Sequence, residues 1–146
     1  MNFTTKNFSE LTTKELYKIL QLRSEVFVVE QDCVYQDLDF KDQKALHVFG
    51  KKKDTIIAYT RVFKSGDYFD KASIGRVVIS NINRRSGLGH DIMKASIETI
   101  KTHFNEEEIT ISAKKYLKKF YESHGFTQTG VEYLEDGIPH IRMDRN

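Results

Sequence analysis

"NRRSGLGHDI", residues 83–92, places two arginines and two glycines directly ahead of a run with helical spacing. Helix propensity alone would favour alanine or leucine at Gly87 and Gly89, so the glycines call for a conformational reason. A helix entered through glycines presents free backbone N–H groups and the positive end of its dipole to an anion. The context is that of a strand turning into a helix. Upstream, "ASIGRVVIS" (72–80) is rich in β-branched residues. Downstream, Met93, Ile97, Ile100 and Phe104 repeat at i, i+4, i+7 and i+11, which predicts an amphipathic helix over 86–104. Gly87 would let the backbone approach a ligand, and Gly89, on the apolar stripe, would let the helix pack on the preceding strand. A nucleotide P-loop would carry Lys and then Ser or Thr after the glycines, where this chain has His90 and Asp91. A dinucleotide fold would carry three glycines in the G-x-G-x-x-G spacing, which is also unmet. A turn that merely caps a helix remains the plain alternative.

Working outward, a strand near residues 2–8 precedes "TTKE", in which Thr12 and Glu15 have the spacing of a capping box. The helix that follows has an apolar stripe of Leu16, Ile19, Leu20 and Phe27, with Arg23 on the same stripe. Periodicity stops from Asp32 to Asp42, where four aspartates, Tyr35 and Phe40 form an acidic loop. "ALHVFG" and "TIIAYTRVF" then read as strands joined by a turn at "KKKD". After the glycine turn and its helix come a strand at "EEITIS", a short helix at "KKYLKKFYESHG" ended by Gly125, and a hairpin around Glu135–Gly137. The order β-α-β-β-β-α-β-α-β-β predicts an α/β (α+β) domain. Its central mixed sheet is mostly antiparallel, with a parallel pair in the middle and flanking helices.

The 146 residues fit one domain, 1–146, able to bury about 70% of its unfolded surface. With 23 basic and 21 acidic residues the net charge is only +2, which argues against general nucleic-acid binding. One cysteine, Cys33, excludes an intrachain disulfide. The first residues lack the apolar run of a signal peptide, and no stretch approaches the roughly 18 apolar residues of a membrane span. The expectation is a soluble cytoplasmic protein that binds neither membrane nor nucleic acid. Five scattered histidines show no metal-ligand spacing, and the acidic flanks of Cys33 would not activate it as a nucleophile.

The arrangement R-x-x-G-x-G from Arg84 to Gly89 resembles the pyrophosphate-binding motif of the GCN5-related N-acetyltransferases (GNAT superfamily). "LRSEVFVVEQDCVYQDLDFKD", "GRVVIS", "FYESHGF" and "EDGIPHIRM" are together similar to the small bacterial ElaA-like acetyltransferases of that superfamily. Two departures are visible: Asn81 stands where such sequences often have proline, and Arg85 where they often have glycine. The resemblance implies a GNAT domain with a splayed parallel strand pair. It also implies an acetyl-CoA-dependent N-acetyltransferase that passes an acetyl group to a primary amine by direct attack in a ternary complex. Carried over, Arg84 and the backbone of Arg85, Ser86, Gly87, Leu88, Gly89 and His90 would wrap the pyrophosphate of acetyl-CoA. Val78 and Ile79 would offer backbone groups to the pantetheine arm and thioester, and a homodimer through edge strands would be in keeping.

Transfer from a thioester to an amine needs a neutral amine, a stabilised oxyanion and a proton for the departing thiolate. Tyr121 is the candidate donor, since tyrosine stays protonated near neutrality. Its plainer reading is a core aromatic beside Leu117 and Phe120. Of the lysines at 114, 115, 118 and 119, Lys118 is the candidate to meet the nucleotide end of the donor. Glu30, His47 and His140 are candidate proton acceptors for the amine, unranked by sequence. Glu30, Asp37, Asp39 and Asp42 would attract a cationic small-molecule or peptide amine. Arg23 and Arg76 interrupt apolar runs, and a buried arginine is costly unless paired, which predicts carboxylate partners in the acidic loop. The alternative function is a catalytically silent acyl-CoA-binding regulatory or sensor module; Tyr121 and the full glycine turn favour the enzyme.

Overall fold

The capping box forms as its spacing predicts: Thr12 Oγ1 accepts from Glu15 N at 3.0 Å, and Glu15 Oε1 accepts from Thr12 N at 2.9 Å. It starts helix α1, Thr13–Arg23, in a computed structural model that describes residues 1–146. Thr12→Ala should cost about 1 kcal/mol, read as a lower urea midpoint at unchanged slope. The buried face of α1 is Glu15, Ile19, Leu22 and Arg23, while Leu16 and Leu20 are only partly covered. The apolar stripe therefore lies one position round from its sequence-based placement. The carboxylate of Glu15 is acceptable inside because Lys6 Nζ meets it at 2.9 Å. From Ser24 to Glu30 the helix widens into π geometry, which continues the buried face through Val26 and Phe27. Single π turns of this kind often accompany functional sites.

Strands β1 (Phe3–Asn7), β2 (Leu46–Lys52), β3 (Thr55–Phe63) and β4 (Ser73–Ile79) form one antiparallel sheet in that order. Strand β3 is buried on both faces, which explains why its sequence is almost continuously apolar. Tyr59 and Ile56 pack under α1 with Ile19, Leu22 and Phe27. Ile57 and Val62 pack on the other face against helix α2, Leu88–Phe104, through Ile92, Met93 and Ile100.

The second sheet holds β5 (Ile109–Lys114), β6 (Thr127–Gln128), β7 (Tyr133–Glu135) and β8 (Ile138–Arg145), and helix α3 spans Lys118–Glu122. Strand β8 pairs with all three others, and β7 reaches it through the turn at Asp136 and Gly137, both at positive φ. That left-handed pair matches the favoured two-residue hairpin turn.

The two sheets touch where Thr110 N donates to Ala72 O at 2.8 Å, inside a single parallel bridge from Ala72 to Ile109. Beyond it β4 and β5 diverge into a V, the splayed parallel pair that the family resemblance implies. A bulge bends β4 a few residues further along, on the diverging stretch. Tyr59 pairs with Val78 and Arg61 with Gly75, so Arg76 and Val77 together oppose the single residue Thr60. Arg76 takes φ +50°, a left-handed conformation unusual for a side-chain-bearing residue. Its Nε bond to Asp37 at 2.8 Å helps to hold that conformation.

Candidate active site

The V between β4 and β5 opens two cavities, of about 1360 and 940 Å³ with the solvent at their mouths included. The larger is of a size to hold a small molecule. They meet at Phe27, Gln31, Val77, Lys114, Leu117 and Tyr121, which line both. The π-helical segment delivers Phe27 to this junction, and the diverging end of β5 delivers Lys114.

The glycine turn closes one end of the larger cavity. Gly87 is the N-cap of α2 at φ +81° and has open space where a Cβ would point. The requirement at this position is the left-handed backbone together with an unobstructed face. No side chain caps the helix, and its first internal bond runs from Asp91 N to Gly87 O at 3.2 Å. The amides of Leu88, Gly89 and His90 are therefore available to an anion. Arg85, at φ +65°, is exposed on the lip of the cavity.

Some expectations for this turn change. A Cβ on Gly89 would meet the Phe120 ring at 3.5 Å, an ordinary contact, so close packing on the preceding strand does not explain this glycine. Ser86 donates to Asn83 O at 2.7 Å and braces the turn from outside the cavity lining. Lys118 does not line the cavity either; the lysine that does is Lys114, at the end of β5. Burial and the nearby Arg84 push the Lys114 ammonium below the usual lysine range.

Strand β4 supplies the wall between the cavities, and its pairing decides which of its backbone groups can reach a ligand. Ser80 N donates to Ile57 O at 2.8 Å, so Ser80 and Val78 direct their backbone groups at β3. Val78 therefore has none left for a ligand, contrary to expectation. Ile79 faces the open side by alternation. Its carbonyl accepts from Arg84 Nε at 3.1 Å, which leaves its N–H as the donor facing the V.

Tyr121, on α3, lines both cavities. Its ring is core, edge-on to Phe120 at 5.1 Å and to Phe126 at 6.1 Å between centroids. Arg61 Nε is the one wholly buried side-chain nitrogen or oxygen without a hydrogen bond. The Tyr121 hydroxyl also has no partner in the chain, so it is open to the cleft. Burial pushes it well above the ordinary tyrosine range, and Tyr116 adds to the rise, so it carries its proton throughout the physiological range. The packing reading holds for the ring, and the hydroxyl stays open for chemistry.

The acetyltransferase (GNAT) domain family matches residues 9–146. The chain belongs to this GNAT family. It is 42% identical over 139 residues to protein ElaA of Escherichia coli, covering 94% of this chain and 91% of that one. The crystal structure of E. coli ElaA superposes with a TM-score of 0.93 at 38% identity over the full length of both chains. An acyl-CoA N-acyltransferase from Pseudomonas aeruginosa does so at 0.94 and 38%, again over both full lengths. A GNAT acetyltransferase from Elizabethkingia anophelis, crystallised with acetyl-CoA bound, shares the fold at a TM-score of 0.66 and 16% identity, covering 99% of this chain and 97% of that one. The GNAT fold supports an acyltransferase that uses an acyl-CoA donor.

Within this GNAT site the three candidate bases separate. His47 is fully buried, with Nδ1 2.7 Å from Tyr59 Oη and Nε2 2.9 Å from Asp42 O. Burial lowers its pKa and keeps it neutral, and it lines neither cavity, so it is a structural histidine. Glu30 lies at the mouth of the larger cavity, where its Oε2 accepts from Arg84 Nη1 at 2.6 Å. That ion pair ties Glu30 to the glycine turn, away from the smaller cavity, and diverts the Arg84 guanidinium from a phosphate. His140 lines the smaller cavity.

The acidic loop does not present its charge to a substrate. Arg23 bonds Asp37 at 3.0 Å and Asp42 at 2.8 Å, and Arg76 bonds Asp37, as the cost of burying unpaired arginines required. Arg61, not foreseen in this role, bonds Asp39 at 2.6 Å and Asp42 at 3.0 Å. Arg61 interrupts the apolar run "TIIAYTRVF" just as Arg23 and Arg76 interrupt theirs, so the signal was present. Three arginines neutralise three aspartates, and the loop becomes a fixed wall rather than a cation trap.

Proposed function

We propose that the protein transfers an acetyl group from acetyl-CoA to a primary amine by direct attack. The observation that carries this reading is Tyr121: a protonated, unpartnered hydroxyl at the junction of the two cavities. The larger cavity takes the donor, with its pyrophosphate on the free amides of the Gly87 turn and beside Arg85. The smaller cavity takes the amine. The Ile79 N–H faces the V, where the thioester oxygen gains charge during attack, and one such donor is commonly worth about 3 kcal/mol. As the C–S bond breaks, Tyr121 supplies the proton to sulfur. Burial raises the proton affinity of the tyrosyl oxygen and of a thiolate formed beside it together, which keeps the pair matched.

The test is the initial rate of free CoA thiol release from acetyl-CoA over a panel of primary amines. Amine-dependent release with matching N-acetyl product supports the reading. Tight acetyl-CoA binding with no release over the whole panel contradicts it and leaves a silent binding module.

A further inference from the structure

We infer that Glu135 and His140 form the binding site for the acceptor's ammonium group, with Glu135 holding the cation and His140 taking its proton. The inference rests on the acetyl-transfer reading above and adds to it the acceptor's chemical class. His140 Nδ1 lies 2.7 Å from the carbonyl oxygen of Ile138. A carbonyl only accepts, so Nδ1 carries a proton and Nε2 is the ring nitrogen with its lone pair free. Nε2 stands 3.3 Å from Glu135 Oε2, and both line the smaller cavity. In the neutral imidazole these are two acceptors face to face, an arrangement that lacks a donor. An alkylammonium ion supplies it, giving one N–H to the carboxylate and one to Nε2.

The surroundings hold this pair in place. Ser112 Oγ donates to Glu135 Oε1 at 3.0 Å and is bonded to Tyr133 Oη, while the Tyr133 ring stacks on His140 at 6.2 Å. The charged and titratable groups around the imidazole are Glu135 and Tyr133 on β7 and Lys114, its pairing partner on β5. Asp136 and Cys33 lie in the same cavity. Arg61 and Arg76 also line it but are neutralised by Asp37, Asp39 and Asp42. The attractive charge for a cation is therefore at Glu135 and Asp136. Phe27, Tyr35, Phe63, Tyr68 and Phe69 bring five aromatic rings to the wall, and aliphatic side chains fill much of the remainder. A lone ammonium on an apolar stem fits this wall better than a polyamine, because Lys114 in the same lining would repel a further positive charge.

The proton balance is complete. One ammonium proton passes to His140 Nε2 and on to solvent. The neutral amine's lone pair forms the C–N bond, the C–S bond breaks, and sulfur takes the Tyr121 proton. The proton then lost by the new amide nitrogen restores the tyrosine.

Steady-state kinetics with 2-phenylethylamine as probe, and spermidine as the polycationic comparison, test this. In Glu135→Gln the KM for 2-phenylethylamine should rise about tenfold with kcat little changed, and Glu135→Asp should recover part of the loss. In His140→Gln kcat should fall about tenfold or more at neutral pH with KM little changed, and recover at alkaline pH, where the amine arrives already deprotonated. An unchanged KM in Glu135→Gln, or turnover of spermidine in preference to 2-phenylethylamine, would overturn the inference. Calorimetric titration of each protein with acetyl-CoA separates the two levels. Lost donor binding in the wild type defeats the acetyl-transfer reading itself, whereas intact donor binding without use of the amine defeats this assignment alone. Lost donor binding confined to the variants would show a structural role for Glu135 and His140 and also overturn the assignment.

Discussion

Tyr121→Phe should lower kcat by about 10²-fold, the usual scale for a positioned acid, while acetyl-CoA affinity and thermal stability stay close to wild type. The substitution removes one oxygen that makes no hydrogen bond within the chain and leaves the edge-on contacts with Phe120 and Phe126 in place. A purely structural tyrosine would therefore lose little when so replaced. The pH dependence follows from the same burial. Because the hydroxyl is raised above the ordinary tyrosine range, kcat should show no alkaline fall from its ionisation up to about pH 10, where an unperturbed tyrosine titrates. Initial rates of CoA thiol release from pH 6 to 10, for wild type and Tyr121→Phe, check both statements. Equal rates in the two proteins across that range would show the hydroxyl idle.

Asp42→Ala should destabilise the fold by about 3–5 kcal/mol, because it leaves two buried guanidinium groups short of a partner. Asp42 Oδ1 accepts from Arg23 at 2.8 Å and from Arg61 at 3.0 Å, and neither arginine has appreciable access to water. Arg61 already has an unpartnered Nε, so no spare acceptor is at hand. Burial pushes the Asp42 carboxyl up, but Arg23 and Arg61 outweigh it and the net shift is downward. Asp39 follows the same pattern, pushed up by burial and held down to about 2 by Arg61 and its neighbours. A depressed folded-state pKa stabilises the fold above the unfolded value of about 4, and that stability is lost as pH falls through the folded value. Urea midpoints should thus be level for this contribution from pH 7 to about 4.5 and fall towards pH 2, with a shallower fall in Asp42→Ala. A full-strength fold in Asp42→Ala would mean the ion cluster is dispensable.

Much of the fold was legible in the sequence because its signals are local. The Thr12 capping box, the turn at Lys53–Asp54 and the hairpin at Asp136–Gly137 depend on residues a few positions apart, and all three form. The pairing of Arg23 and Arg76 with the acidic loop was legible from the cost of burying a charge. The same argument makes the loop neutral, which undoes its reading as a lure for cations. What stayed hidden depends on non-local geometry. The π widening after Arg23 and the bulge opposite Thr60 have no periodic signature, and the divergence of β4 from β5 was legible only through the family resemblance. These features decide that Ile79 rather than Val78 faces the cleft, and that Lys114 rather than Lys118 reaches it. The sequence left Glu30, His47 and His140 level as bases because burial, which separates them, is a property of the assembled sheets.

If the Gly87 turn holds the pyrophosphate of acetyl-CoA, donor binding must depend on that turn. Calorimetric titration with acetyl-CoA, with ATP and NAD as controls, tests it most directly in wild type, Gly87→Trp and the exposed charge reversal Arg85→Glu. One selective acetyl-CoA site per chain is expected, lost in Gly87→Trp and weakened in Arg85→Glu, with cooperative unfolding kept in both. No binding by the folded wild type, or equal binding by all three proteins, would contradict it and leave the turn as a helix cap.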